Sequence, residues 1–118
     1  MYNKFMNIPF KNRSFEERKE QALGLINKYP ERCPIIVYSN NNSISITQHK
    51  FLVPRDLTLS QFTHIIKNKN NITSQTALFS FIDNIVLMPT QRIGILHKKH
   101  KDADYFLYIN VTAENTFG

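Results

Sequence analysis

Cysteine is almost absent from this chain. Cys33 stands alone in 118 residues, so an internal disulfide is impossible and a reducing compartment, the cytoplasm, is the natural setting. Its neighbours Arg32 and Pro34 lead into an apolar stretch, with no helix N-terminus to activate the thiol. Cys33 therefore reads as packing and not as a nucleophile. Long apolar runs are also missing. Ile85-Val86-Leu87-Met88 is typical, far short of the roughly 20 residues a membrane helix needs. Met1 to Phe10 has one lysine and no small-residue cleavage site, so it is not a secretory signal. No nucleophile–base pair and no glycine-rich phosphate loop occurs, which leaves an enzyme reading unsupported.

Acids are scarce: 9 against 15 lysines and arginines, a net charge of +6. That balance favours acidic partners. The lysines are scattered, and none interleave with an aromatic stacking platform, so nucleic acid is not the expected partner. The four histidines, His49, His64, His97 and His100, raise a metal reading. His97 and His100 lie three apart, but Lys98, Lys99 and Lys101 surround them and no acid or cysteine is near. No metal site and no cofactor is expected.

Apolar residues make up 42% of the chain and charged residues 20%, which is the balance of one globular domain with a modest core. No internal repeat is visible. The first ten residues include Tyr2, Phe5, Met6, Ile8 and Phe10, and so apolar an arm is expected to pack on the body or to move between states. Ser14-x-x-Glu17 opens a helix that runs to Lys28, with Phe15, Ala22, Leu25, Ile26 and Tyr29 on its buried face and Pro30 beyond its end. Ile35 to Tyr38 reads as a strand, and the alternation of Ile44 to Thr47 predicts a neighbour for it. Phe51 to Val53 is a further strand closed by Pro54. Thr58-x-x-Gln61 opens a second helix with the stripe Leu59, Phe62, Ile65 and Ile66. Asp83-Asn84 predicts a hairpin between Leu78–Ile82 and Ile85–Leu87. A short helix follows over Ile93 to His97. Tyr105 to Val111 is the last strand, with Phe106 and Tyr108 on one face and Leu107, Ile109 and Val111 on the other. This order predicts an α+β domain with helices on one face of a mixed sheet, and leaves several small α+β folds open.

Four segments narrow the choice. They are Lys28-Tyr29-Pro30-Glu31-Arg32-Cys33-Pro34-Ile35-Ile36-Val37, Lys50 to Phe62, Asp104-Tyr105-Phe106-Leu107-Tyr108, and the tail Glu114-Asn115-Thr116-Phe117-Gly118. In this order and spacing they resemble the autophagy ubiquitin-like modifiers, the family of the GABA receptor-associated protein and the microtubule-associated light chains. The similarity runs from about Phe15 to Gly118. It implies a ubiquitin-like β-grasp roll with additional N-terminal helices: 1–28 the helical addition, 29–111 the core, 112–118 a flexible conjugation tail.

The resemblance implies a modifier and not an enzyme. Gly118 matches the residue that an activating enzyme adenylates. Its carboxyl passes as a thioester to a conjugating enzyme and ends as an amide on phosphatidylethanolamine in the autophagosomal membrane. A terminal glycine suits this chemistry because no Cβ hinders its carboxylate in an enzyme channel. Family members usually carry residues beyond the glycine that a cysteine protease removes, and this sequence has none. The family also binds cargo receptors through peptides with an aromatic residue, two spacers and an aliphatic residue. The matching aromatic-pocket positions are Gln21, Leu25, Pro34, Ile36, Lys50, Leu52 and Phe106. Those of the aliphatic pocket are Phe51, Val53, Pro54, Leu57, Phe62 and Ile65. Of the helix stripe, Ile66 is expected in the core, with Phe62 and Ile65 at the pocket rim. Arg32 and Lys50 are expected to meet acids that precede the aromatic. The peptide would add as a strand to an exposed sheet edge, with alternate side chains falling into pockets. The chain departs from the family pattern at Gln21, where an acid is common, in the less basic run Gln48-His49-Lys50, in the diluted basic stretch from Lys67 to Asn70, and in a shorter loop from Ser39 to Thr47. A non-conjugated peptide-binding module of the same fold, and a modifier attached to proteins, remain as alternatives.

Overall fold

The structure is a computed structural model that describes residues 8–41 and 43–113. Five strands form one sheet in the order β2-β1-β5-β3-β4. They are β1 (Arg32–Tyr38), β2 (Lys50–Pro54), β3 (Leu78–Ile82), β4 (Ile85–Val86) and β5 (Leu107–Ala113). β1 and β5 are parallel, and the other pairs are antiparallel. Three α-helices accompany them: α1 (Phe15–Lys28), α2 (Leu59–Lys69) and α3 (Ile93–His100). A 3-10 turn at Pro9–Asn12 precedes α1.

The sheet is covered on both faces. Cys33, Ile35 and Val37 of β1 and Leu107, Ile109 and Val111 of β5 pack against Phe62 and Ile66 of α2 and Ile93 and Leu96 of α3. The alternate residues Ile36, Tyr38, Phe106 and Tyr108 pack against Ala22 of α1, with Ile8 and Phe10 of the N-terminal turn. This corrects the expectation of helices on one face only. The alternation of Phe106 and Tyr108 against Leu107, Ile109 and Val111 is as the sequence predicts. Each set has its own core, so β1 is buried nearly throughout, as a central strand covered on both sides should be.

The helix starts follow the side chains. Thr58 and Gln61 form a reciprocal capping box: Thr58 Oγ1 accepts from the Gln61 N–H, and Gln61 Oε1 accepts from the Thr58 N–H. Ser14 Oγ accepts from the Glu17 N–H at the start of α1. α3 has no side-chain cap. Its first amides instead donate to the body of the protein, Ile93 to the Leu57 carbonyl at 2.9 Å and Gly94 to the Arg55 carbonyl at 2.8 Å. This brings α3 so close that a Cβ on Gly94 would lie 2.9 Å from Arg55 Cβ. Asp83 takes a positive φ of 54° in the β3–β4 turn, a conformation aspartate tolerates in hairpins.

Residues 44–47 are not a strand. Ile44 and Ile46 are half-buried and pack on the core, while β2 and β5 take the two sides of β1. An alternating apolar pattern is produced equally by a loop that lays two isoleucines on a core. The last strand begins at Leu107, two residues later than expected, because Tyr105 adopts a φ of 74° in the turn before it. α3 runs past His97 to His100.

Candidate functional site

β2 is an edge strand, and its register with β1 decides which way each backbone group points. Cys33 faces Val53, Ile35 faces Phe51 and Ile36 faces Lys50. Val37 N–H donates to the His49 carbonyl at 2.8 Å one step beyond the strand, and Arg55 N–H donates to the Glu31 carbonyl at 2.9 Å one step beyond its other end, so odd-numbered positions carry the bonds. By alternation the Ile35–Phe51 and Cys33–Val53 pairs are bonded too, so the N–H and C=O of Lys50 and Leu52 point outward. Pro34, which has no N–H, sits opposite Leu52, where none is needed. Two side chains cover the outward carbonyls. Arg32 Nη1 donates to the Leu52 carbonyl at 3.2 Å, and Gln48 Nε2 to that of Lys50 at 3.3 Å. Both are replaceable donors, so β2 offers an added strand two acceptors for its amides.

The side chains of β2 alternate with the same period. Phe51 and Val53 are buried, whereas Lys50, Leu52 and Pro54 are half-buried. Of the aromatic-pocket positions, Ile36 and Phe106 share one cluster with half-buried Leu25. Pro34 is buried in β1, and Gln21 is half-buried and shares an open hollow with Leu25, Arg13, Glu20 and Lys28. Ile36 and Phe106 are themselves fully buried. What covers them includes Phe10, whose ring stands edge-on to Phe106 with centroids 4.8 Å apart and has Lys50 Nζ 5.7 Å above it. The pocket positions did not include Phe10. Its only signal in the sequence was the apolar character of the N-terminal arm. Burial, and then the charge of Arg13, pull the Lys50 ammonium below its usual pKa.

Of the aliphatic-pocket positions, Leu57 and Ile65 are half-exposed and pack on the main core, and Pro54 is half-exposed beside them. Phe51 and Val53 form the floor. Phe62 is placed differently from the expectation. Its exposure is 0%, and its ring meets Phe51 edge-to-face at 5.3 Å, so it is a core residue beneath the site and not part of its rim. The helical period carries Phe62 to the sheet side of α2, leaving Ile65 at the boundary.

The two cations expected to act together are apart. Arg32 lies opposite Pro54 and Lys50 opposite Ile36, at the two ends of β2. Four residues of strand separate them, about 13 Å at ~3.3 Å per residue. A peptide whose aromatic residue sits at the Ile36 end has Lys50 near its upstream residues and Arg32 near its downstream ones.

A buried polar cluster ties the N-terminal addition to this sheet. The Asp104 carboxylate, fully buried, accepts from Arg18 Nε at 2.9 Å, Tyr108 OH at 2.5 Å and the Phe106 N–H at 2.9 Å. Lys11 Nζ lies 3.4 Å from Asp102 and 4.2 Å from the Tyr108 ring centroid. Burial, and then the bond to Asp104, hold the Tyr108 hydroxyl far above its usual pKa. The cluster anchors the turn that carries Phe10. Among the described residues no group of histidines, cysteines or acids is placed to hold a metal ion, and no helix is long and apolar enough to cross a membrane. Gly118 lies outside the described residues.

Comparison with known proteins resolves what this architecture belongs to. The family model "Autophagy protein Atg8 ubiquitin like" matches residues 17–118. The chain belongs to the Atg8 family of ubiquitin-like autophagy proteins. Autophagy-related protein 8 of Mycosarcoma maydis is 37% identical over 116 residues, covering 96% of this chain and 98% of the relative. Autophagy-related protein 8e of Arabidopsis thaliana is 39% identical over 106 residues, covering 88% and 87%. The crystal structure of Trypanosoma brucei ATG8 superposes with a TM-score of 0.85 at 32% identity over the whole of both chains. Plasmodium falciparum Atg8, in complex with a Plasmodium falciparum Atg3 peptide, superposes with a TM-score of 0.79 at 25% identity, covering 92% of this chain and 100% of that one. Members of the Atg8 family are ubiquitin-like modifiers rather than enzymes.

Proposed function

We propose that this protein is conjugated through Gly118 to phosphatidylethanolamine on autophagosomal membranes, and that its β2 edge docks aromatic-x-x-aliphatic peptides of cargo receptors and of its conjugating enzyme. The observation that carries the first part is the family match, which runs through to residue 118. An activating enzyme would adenylate the Gly118 carboxyl, the conjugating enzyme would hold it as a thioester, and the lipid amine would displace the thiolate to form the amide. A cysteine protease would reverse that bond. Reconstitution with the activating and conjugating enzymes and phosphatidylethanolamine liposomes tests it. The wild type should acquire lipid and Gly118→Ala should not, while both give the same folded spectrum. Undiminished lipidation of Gly118→Ala refutes the assignment. A wild type that stays unmodified but binds peptides is the non-conjugated module instead.

The free β2 edge, with its outward Lys50 and Leu52 backbones between two half-buried apolar surfaces, supports the second part. The Atg3 peptide held by the Plasmodium falciparum relative is consistent with it. Two filled pockets, less the cost of ordering a short peptide, suggest a Kd of about 1 μM, near −8 kcal/mol. Calorimetry with an acid-flanked peptide separates the contributions. Leu52→Ala should weaken binding at every salt concentration, because it removes packing. Lys50→Ala should cost more at low salt than at high salt, because its charge is partly solvated. If neither variant changes affinity, the peptide does not use this edge.

A further inference from the structure

Upstream of Lys50 one ladder bond continues, from the Val37 N–H to the His49 carbonyl, and the next backbone groups along the edge are those of Gln48. Gln48 is where a strand lengthening past Lys50 would gain its next pair of bonds. Both groups are already taken by one side chain. The Asn70 carboxamide accepts from the Gln48 N–H at 2.8 Å and donates to the Gln48 carbonyl at 3.1 Å. This two-bond clasp is what a residue of a neighbouring strand would make.

The clasp is built in. Asn70 is 8% exposed and caps the C-terminus of α2. Its Oδ1 also accepts from the Thr47 N–H at 2.9 Å, and its Nδ2 also donates to the Ile66 carbonyl at 3.0 Å. No buried side-chain polar atom among the described residues lacks a partner, so displacing this amide would orphan several groups at once. The Lys50 and Leu52 carbonyls, in contrast, each carry one bond from a long side chain that can swing away.

We propose that Asn70 is a stop for strand addition. A peptide docked on β2 pairs its backbone with Lys50 and Leu52 and no further, and the residues before its aromatic are recognised through side chains alone. This rests on the peptide-docking reading above. Asn70 thereby determines specificity: the upstream residues of a ligand need no free N–H, so proline is admitted there.

Backbone N-methylation of the peptide tests the stop, because each methyl deletes one donor without changing a side chain. The probe is an acid-flanked aromatic-x-x-aliphatic peptide carrying three residues upstream of its aromatic. In the wild type, methylation between the aromatic and the aliphatic residue should weaken binding by about tenfold, and methylation at any upstream position by less than about twofold. In Asn70→Ala, one upstream position should become sensitive, costing about fivefold or more. Amide exchange gives a second readout. The Gln48 N–H should be protected in the free wild type, exchange at least about tenfold faster in Asn70→Ala, and stay protected in Asn70→Asp, which retains the acceptor oxygen. An upstream penalty in the wild type overturns the stop, and needs no variant that folds. So does a folded Asn70→Ala with no sensitive upstream position, or a rapidly exchanging Gln48 amide in the wild type. If methylation between the aromatic and aliphatic residues is also without effect, strand addition itself is wrong and the stop falls with it. The upstream results alone remove only the stop.

Discussion

Replacing Asp104 by asparagine should be among the most damaging single changes in this protein, although it alters one atom. Asp104 is fully buried and is the shared acceptor for Arg18, Tyr108 and the Phe106 N–H. Arg18 is 9% exposed. Its Nη1 donates to the Lys11 and Arg13 carbonyls, so Asp104 supplies its principal counter-charge. The Asp104→Asn change would leave the Arg18 cation buried without that charge, and would turn an amide N–H towards one of the donors. Breaking a buried pair in this way costs roughly 3–5 kcal/mol, a large share of the 5–15 kcal/mol that holds a typical domain together. At about 4 °C per kcal/mol for a chain of this size, the midpoint should fall by about 12–20 °C. Arg18→Met should cost less, because Asp104 keeps Tyr108, the Phe106 N–H and Lys11 at 3.9 Å. Urea denaturation followed by circular dichroism measures both. The reasoning fails if Asp104→Asn costs under about 1 kcal/mol, the scale of an exposed ion pair. It fails equally if Arg18→Met proves the worse of the two.

Three other changes probe different parts of the molecule. Phe62→Ala should cost about 3–5 kcal/mol in chemical denaturation, because it hollows the core beneath Phe51; a loss under about 1 kcal/mol would return Phe62 to the rim. Gly94→Ala should destabilise by about 1–3 kcal/mol, since the new Cβ would sit 2.9 Å from Arg55 Cβ and 3.1 Å from its carbonyl; unchanged stability would mean that α3 shifts freely. His97 is buried, and burial lowers its pKa despite the bond from its Nε2–H to the Tyr105 carbonyl. The unfolded chain therefore takes up this proton first, so stability should decline as pH falls below about 6.5, and His97→Gln should flatten that decline; an identical pH profile for the two proteins would refute it.

The sequence carried the periodicities well because each reports a local choice. The alternation around Tyr108 fixed the two faces of β5, and the Thr58–Gln61 box fixed the start of α2 to the residue. It could not say on which side of the sheet a helix would pack. The stripe containing Ala22 and Leu25 needs only an apolar partner, and Ile36 and Phe106 present one on the face opposite α2. The candidate pockets had the same limit. Leu25, Ile36 and Phe106 do come together, but no spacing revealed that Phe10 would lie on Phe106.

Register is the property hardest to see in a list of residues, and here it decides the most. Arg32 and Lys50 look like a pair of cations flanking one motif, yet antiparallel pairing places them at opposite ends of β2. Ile44 to Thr47 looks like a strand, yet Asn70, more than twenty residues away, takes the Thr47 and Gln48 amides and holds the segment as a loop. A segment becomes a strand only if its backbone groups face partners in sequence, and a single buried carboxamide can claim them first. An exposed edge is a hazard as well as a binding surface, since any other strand can add to it. On β2 the edge is short, its carbonyls carry displaceable side-chain donors, and a fixed amide closes it at Gln48. Such an edge can accept a short peptide while offering little length for pairing with another copy of itself.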